Sequence, residues 1–254
     1  MITRFDTARA RRETPGCEER IHLNNAGAAL MTRRVLDAQI EHLELEGRIG
    51  GYEAAAARAG EIEAVYGSLA RVIGAPAANL ALVENATVAW NQAFGSIGLR
   101  PGDTVITGEV EYGANYVTLL KAAKERGIEI LVAPSDAAGQ VDVEGLADLI
   151  DGRTRLVAIT HVPTNGGLVN PAAAIGEVAR RAGVPYLLDC AQSVGQIDLD
   201  VERLGCDFLV GTGRKFLRGP RGTGFLYAGP RILERTEPPV IVRQRGRSRN
   251  ESRP

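Results

Sequence analysis

Lys215 stands in the run Asp207-Phe208-Leu209-Val210-Gly211-Thr212-Gly213-Arg214-Lys215-Phe216. An apolar stretch that breaks into Gly-Thr-Gly delivers a lysine into a glycine-lined space. A lysine amine that is desolvated, or set beside another cation such as Arg214, becomes neutral enough to attack a carbonyl and form a Schiff base. Gly211, Thr212 and Gly213 offer N–H and hydroxyl donors at close approach, which suits a phosphate. A solvated surface turn is the plainer reading of such a stretch taken alone. The second chemical signal lies upstream, in Leu187-Leu188-Asp189-Cys190-Ala191-Gln192-Ser193. A carboxylate that ends an apolar strand is costly to bury unless a cation meets it, and a protonated heterocyclic nitrogen would do so. Asp189 and Lys215 are separated by one crossover, close enough to flank one aromatic ring. Tyr112 can stack on that ring. Asn85, Ala86 and Thr87 open a helix whose free N–H groups face an anion, although an ordinary N-cap by Asn85 explains them equally well. Phosphate, pyridinium, ring face and aldehyde together describe pyridoxal 5'-phosphate.

The elements that must position these groups alternate regularly. Strands are predicted at 80–83, which reads as buried by its composition, and at 104–107, 128–133, 154–160, 185–189 and 207–210, with a final, antiparallel-capable strand at 225–227. Helices are predicted at 32–49, 52–73, 86–97, 117–126, 143–150 and 171–181. Strand–helix alternation over short turns implies α/β architecture: a mostly parallel sheet with helices on both faces. Ligands in such sheets bind at the carboxyl ends of the strands. Thr87, Tyr112, Thr164, Asp189, Gln192, Thr212 and Lys215 all fall there.

Composition sets the outer limits. The chain has 254 residues, 44% hydrophobic and 24% charged, with a formal net charge of -1, which is ordinary globular composition. No apolar run approaches the ~20 residues that span a bilayer, and the N-terminus lacks the apolar core of a secretory signal. No membrane role is expected. Cys17, Cys190 and Cys206 form no CxxC pair, which fits reduced thiols in a cytoplasm. His22, His42 and His161 show no ligand spacing, so no metal is expected. The last seventeen residues hold five Arg and one Glu, hence +4 against -5 for the remainder. A nucleic-acid role rests on that tail alone, and none is expected.

In order, the stretches HLNNAGAAL, VENATVAWN, GEVEYGAN, HVPTNGGLVNP, LLDCAQSVGQ and DFLVGTGRKFLRGPRGTGFLY resemble the class V aminotransferase and cysteine-desulfurase-like family of fold-type I pyridoxal-phosphate enzymes. The resemblance covers roughly residues 20–230. It implies that Lys215 carries the cofactor and moves the proton at the substrate α-carbon. Asp189 would pair with the pyridine nitrogen, Gln192 with the phenolic oxygen, and Ala86, Thr87 and Thr212 with the phosphate. Asn25, Ala26 and Gly27 are carried over as a substrate-binding loop. Tyr112 takes the position of a usual stacking histidine, Thr164 that of an asparagine, and Arg214 that of the histidine before the lysine. These departures resemble the selenocysteine-lyase, isopenicillin-epimerase and hercynylcysteine-sulfoxide-lyase-like branches more than a housekeeping desulfurase.

The resemblance also implies a homodimer and an amino-acid substrate, reached through C–S lyase or aminotransferase chemistry. Relatives continue into a small C-terminal domain that holds the substrate carboxylate, so the chain is expected to be C-terminally truncated. The organisation expected is a polar arm (1–20), a cofactor-binding large domain (21–237) and a basic, disordered tail (238–254). The alternatives are a catalytically impaired cofactor-binding fragment and, more weakly, a dinucleotide-binding oxidoreductase suggested by GTGRKFLRG. The latter lacks a GxGxxG opening a first strand–helix unit.

Overall fold

The computed structural model describes residues 5–240. Seven strands form one sheet: β1 (Leu80–Val83), β2 (Thr104–Gly108), β3 (Glu129–Ala133), β4 (Thr154–Thr160), β5 (Tyr186–Asp189), β6 (Phe208–Thr212) and β7 (Gly224–Ala228). Their order is β1-β7-β6-β5-β4-β2-β3. The pairs β2–β3, β2–β4, β4–β5 and β5–β6 are parallel, and β7 runs antiparallel to both β6 and β1. Six strands therefore point the same way and only β7 opposes them.

Side-chain alternation along the central strands feeds two cores, one on each face of the sheet. Leu156 and Ala158 of β4, Leu187 of β5 and Phe208 and Val210 of β6 join one core. Val157 and Ile159, Tyr186 and Leu188, and Leu209 join the other. The first core is covered by α6 (Ala86–Ser96) and α7 (Gly113–Arg126), with Trp90 and Phe94 stacked at 5.0 Å between ring centroids. The second is covered by Ile73 of α5 (Ala59–Ile73), Leu146 of α8 (Val143–Asp148), Ile175 and Ala179 of α9 (Ala172–Arg181) and Leu204 of α10 (Val201–Leu204). Continuous apolar runs in β4, β5 and β6 are what two-sided burial demands.

The remaining helices are α1 (Thr7–Arg12), α2 (Gly16–Glu19), α3 (Arg33–Ile49), α4 (Gly51–Ala57) and α11 (Pro230–Leu233). The segment expected as a polar arm thus carries two short helices, and the Arg33 amide donates to the Glu13 carbonyl at 2.8 Å. The single helix expected over 52–73 is two, separated at Arg58. Expected as a buried strand, β1 is instead an edge with Leu82 41% exposed, because among the described residues β7 is its only partner. Helix α7 begins at Gly113 rather than 117, with Tyr112 as its N-cap residue. The final strand, expected as antiparallel-capable, runs antiparallel to both of its neighbours. Of the expected disordered tail, residues 241–254 lie outside the described residues. Among those described, no helix is long and apolar enough to cross a membrane.

Candidate functional site

A cavity of about 520 Å³ opens where five parallel strands end. Each strand contributes through the turn that follows it: Ala86 and Thr87 after β1, Tyr112 after β2, Thr164 after β4, Asp189 and Gln192 at the end of β5, and Thr212, Arg214 and Lys215 from β6 onward. The structure brings all nine predicted cofactor-site residues to one cavity.

Lys215 occupies a tight turn closed by the Arg218 amide to the Lys215 carbonyl at 3.0 Å and the Gly219 amide to the Gly213 carbonyl at 2.7 Å. The turn forces Arg218 into the left-handed region, φ 59°, which costs a non-glycine residue on the order of 1 kcal/mol. Its guanidinium offsets that by donating to the Leu30 carbonyl at 3.0 Å and to Thr14 Oγ1 at 2.6 Å. The lysine itself is buried, and its Nζ lies over the Tyr112 ring, 5.6 Å from the centroid. Burial lowers its pKa. Asp189 opposes the shift by attraction and Arg214 adds to it by repulsion.

Asp189 is buried at the end of β5, where burial raises its pKa. The Ala191 amide at 2.9 Å, Asn115 Nδ2 at 2.8 Å and the charge of Lys215 pull the other way. Gln192 Nε2 donates to the Ala26 carbonyl at 3.0 Å and to Thr164 Oγ1 at 3.4 Å, which docks the 24–28 turn onto the cavity. Of the three residues carried over as a substrate loop, Ala26 reaches the site only through this carbonyl. Asn25 lines a neighbouring cavity with Thr14 and Arg218. The Gly27 amide donates to Asn24 Oδ1 at 3.0 Å and so belongs to the turn itself.

The start of α6 is shaped for an anion. Asn85 Oδ1 accepts from the Val88 amide at 3.0 Å, so Ala86 and Thr87 keep first-turn N–H groups with no helical acceptor. Strand β7 passes so close that a Cβ on Gly224 would sit 2.6 Å from the Asn85 backbone. Only glycine allows this approach. Arg214 Nη1 donates to Thr212 Oγ1 at 3.0 Å, and that hydroxyl donates to the Thr223 carbonyl at 3.2 Å.

Two residues of the site's polar network, Glu111 and Asn115, were absent from the sequence-derived set. Both lie in the GEVEYGAN stretch, where an acid and an amide four residues apart bracket the helix start, a pattern that reads as an ordinary helix start. The three thiols stay outside the cavity lining. Cys190 and Cys206 are buried core residues, and burial pushes Cys206 up to about 12.

Fold and cavity together define a mostly parallel-sheet protein with a buried lysine and a buried carboxylate in one cavity beside a helix N-terminus. The family model described as aminotransferase class-V matches residues 21–243, and the chain belongs to that family of pyridoxal-phosphate-dependent enzymes. A cysteine desulfurase of Yersinia pestis is 36% identical over 226 residues, 86% of this chain and 55% of the relative. The apo structure of a cysteine desulfurase from Thermococcus onnurineus superposes with a TM-score of 0.86 at 25% identity, over 95% of this chain and 61% of that one. A structure with glycine covalently linked to its pyridoxal-phosphate cofactor gives 0.84 at 25% identity, over 91% and 62%. The chain thus spans somewhat more than half the length of these relatives.

The residues present fit that cofactor. Gln192 Oε1 is buried without a hydrogen-bond partner, a costly state for an acceptor that a ligand hydroxyl would relieve. The buried Asp189 suits a protonated ring nitrogen, and the first turn of α6 suits a phosphate.

Proposed function

We propose that this chain binds pyridoxal 5'-phosphate through Lys215 and forms the cofactor half of an enzyme acting on an amino acid or a sulfur-containing amino-acid derivative. The observation that carries the reading is the pairing of buried Lys215 with buried Asp189 in one cavity, with the α6 N-terminus on its wall. When bound, the cofactor supplies an electron sink for the bond that breaks. The chain's own groups do the rest. Lys215, its basicity lowered by burial, presents a neutral amine to the cofactor's aldehyde and afterwards takes and returns the proton at the substrate α-carbon. Asp189 keeps the ring nitrogen protonated, and Tyr112 covers the ring. The amides of Ala86 and Thr87, with Thr212 and Arg214, hold the phosphate. Gln192 and Thr164 meet the ring's oxygen edge.

Several named relatives are cysteine desulfurases, and C–S bond cleavage is the reaction class proposed for the whole protein. A cytoplasmic homodimer is proposed with it. The test is an absorbance spectrum of the purified chain with added pyridoxal phosphate, beside Lys215→Ala. A visible band of protein-linked cofactor in the parent, lost in the variant, is expected. A folded parent without the band overturns the reading.

A further inference from the structure

Glu111 belongs to none of the roles assigned above, yet it ties the site together. Its Oε1 accepts from the Tyr112 amide at 2.8 Å and from Asn115 Nδ2 at 2.9 Å, and it also meets Thr160 Oγ1. Its Oε2 accepts from the Thr160 amide at 3.1 Å and from Thr107 Oγ1 at 3.3 Å. One carboxyl group thus gathers β2, the end of β4 and the first turn of α7. The same Asn115 Nδ2 donates to Asp189 Oδ2 at 2.8 Å. An amide nitrogen has two hydrogens, and here both have acceptors. With an accepting carboxyl oxygen on each side of the –NH2 group, the opposite amide orientation would turn a carbonyl oxygen toward acceptors, which is repulsive.

We propose that Glu111 is a positioning residue of the site: through Asn115 it holds an N–H donor on Asp189, and through the Tyr112 amide it sets the backbone that carries the ring over Lys215. A structural plug would need no such double-ended geometry. Burial raises Glu111 to about 7, the nearby charge of Asp189 adds to that rise, and Thr160, Asn115 and the Tyr112 amide oppose it. Among the described residues, the groups that hydrogen-bond the carboxyl are all neutral: two backbone amides, two hydroxyls and the Asn115 side chain. The other titratable groups that act on the two carboxyls are Lys215 and the Cys190 thiol with Asp189, and the phenol of Tyr186 with Glu111.

This inference rests on the cofactor reading only in naming what Asp189 faces, so its test has a ligand-free arm. The titration of the Asp189 carboxyl is followed by carbon-13 NMR in the ligand-free parent, Glu111→Gln, Glu111→Leu and Asn115→Ala. Glu111→Gln removes the charge but keeps an acceptor for Asn115. Glu111→Leu removes both. The expected result is a higher Asp189 pKa in Glu111→Leu than in Glu111→Gln, and a higher one in Asn115→Ala than in the parent. In the second arm, pyridoxal-phosphate affinity falls about tenfold in Glu111→Leu and Asn115→Ala, the worth of one hydrogen bond to a charged group, and Glu111→Gln recovers most of it. Equal Asp189 titration in the two Glu111 variants overturns the proposal, as does an unshifted Asn115→Ala. If Glu111→Leu fails to fold, Asn115→Ala against the parent decides alone. A parent that binds no cofactor defeats the proposed function, while the NMR arm still decides this inference.

Discussion

Lys215 and its two charged neighbours set the chemistry of the cavity at the scale of single side chains. Burial makes the amine less basic, Asp189 restores part of that basicity, and Arg214 removes more. The signs predict opposite outcomes for two substitutions. Removing the like charge in Arg214→Gln makes the neutral amine scarcer at a given pH, so the pH profile for cofactor attachment to the ligand-free protein moves upward. Removing the opposite charge in Asp189→Asn moves it downward. Each shift is expected to be about one unit, measured as the rate of appearance of the bound-cofactor band against pH. Shifts of the same sign would show that something other than local charge governs the lysine. Lys215, Asp189, Thr212 and Gln192 were legible in the sequence because each follows an apolar run that reads as a strand. Glu111 and Asn115 were not, since neither departs in composition from an ordinary helix start. Their importance comes from contacts at sequence separations of 49 and 74 residues.

At the scale of elements, close backbone approach decides which glycines are needed. In α9, a Cβ on Gly176 would lie 2.0 Å from the Leu204 carbonyl oxygen at the end of α10. Gly176→Ala must therefore push two helices apart, and it is expected to cost about 1–3 kcal/mol, as overpacking does. In α3, a Cβ on Gly47 meets nothing within 4 Å. Gly47→Ala should stabilise by about 0.5–1 kcal/mol through helix propensity and lost chain entropy. Urea unfolding of both variants checks the pair, and a loss of stability in both would refute the second prediction. The same scale explains two departures from the sequence-based expectation. Hydrophobic composition makes β1 look buried, but composition says nothing of position in a sheet, and among the described residues this strand pairs with β7 alone. The alanine-rich stretch from 52 to 73 reads as one helix, whereas the chain turns at Arg58, whose amide closes α4 onto Ala54.

Across the whole molecule, two buried groups give the ligand-free protein opposing responses to acid. His161 is buried with Nδ1 3.1 Å from Ser193 Oγ, and burial lowers its pKa to about 4. A depressed histidine contributes stability above its unfolded pKa near 6.5 that is lost as pH falls through about 4. Glu111 is raised to about 7, so its contribution is complete below the unfolded value of 4.5 and is lost as pH rises through about 7. Between about 4.5 and 6.5 the unfolded histidine and the folded glutamate each hold an extra proton, and the two slopes offset each other. Relative to the parent, Glu111→Gln should gain stability with rising pH across that window, and His161→Gln should lose it. Urea titrations at several pH values test this, and an unchanged slope in either variant would count against that group's role. By itself, the sequence determined the α/β class, the family and the roster of strand-end residues, because apolar runs and the turns that end them are local properties of the chain. Tertiary structure alone decided the strand order, the edge position of β1 and the Glu111–Asn115–Asp189 chain of hydrogen bonds. Those depend on which strand ends lie side by side, and that is settled by packing between segments far apart in the chain.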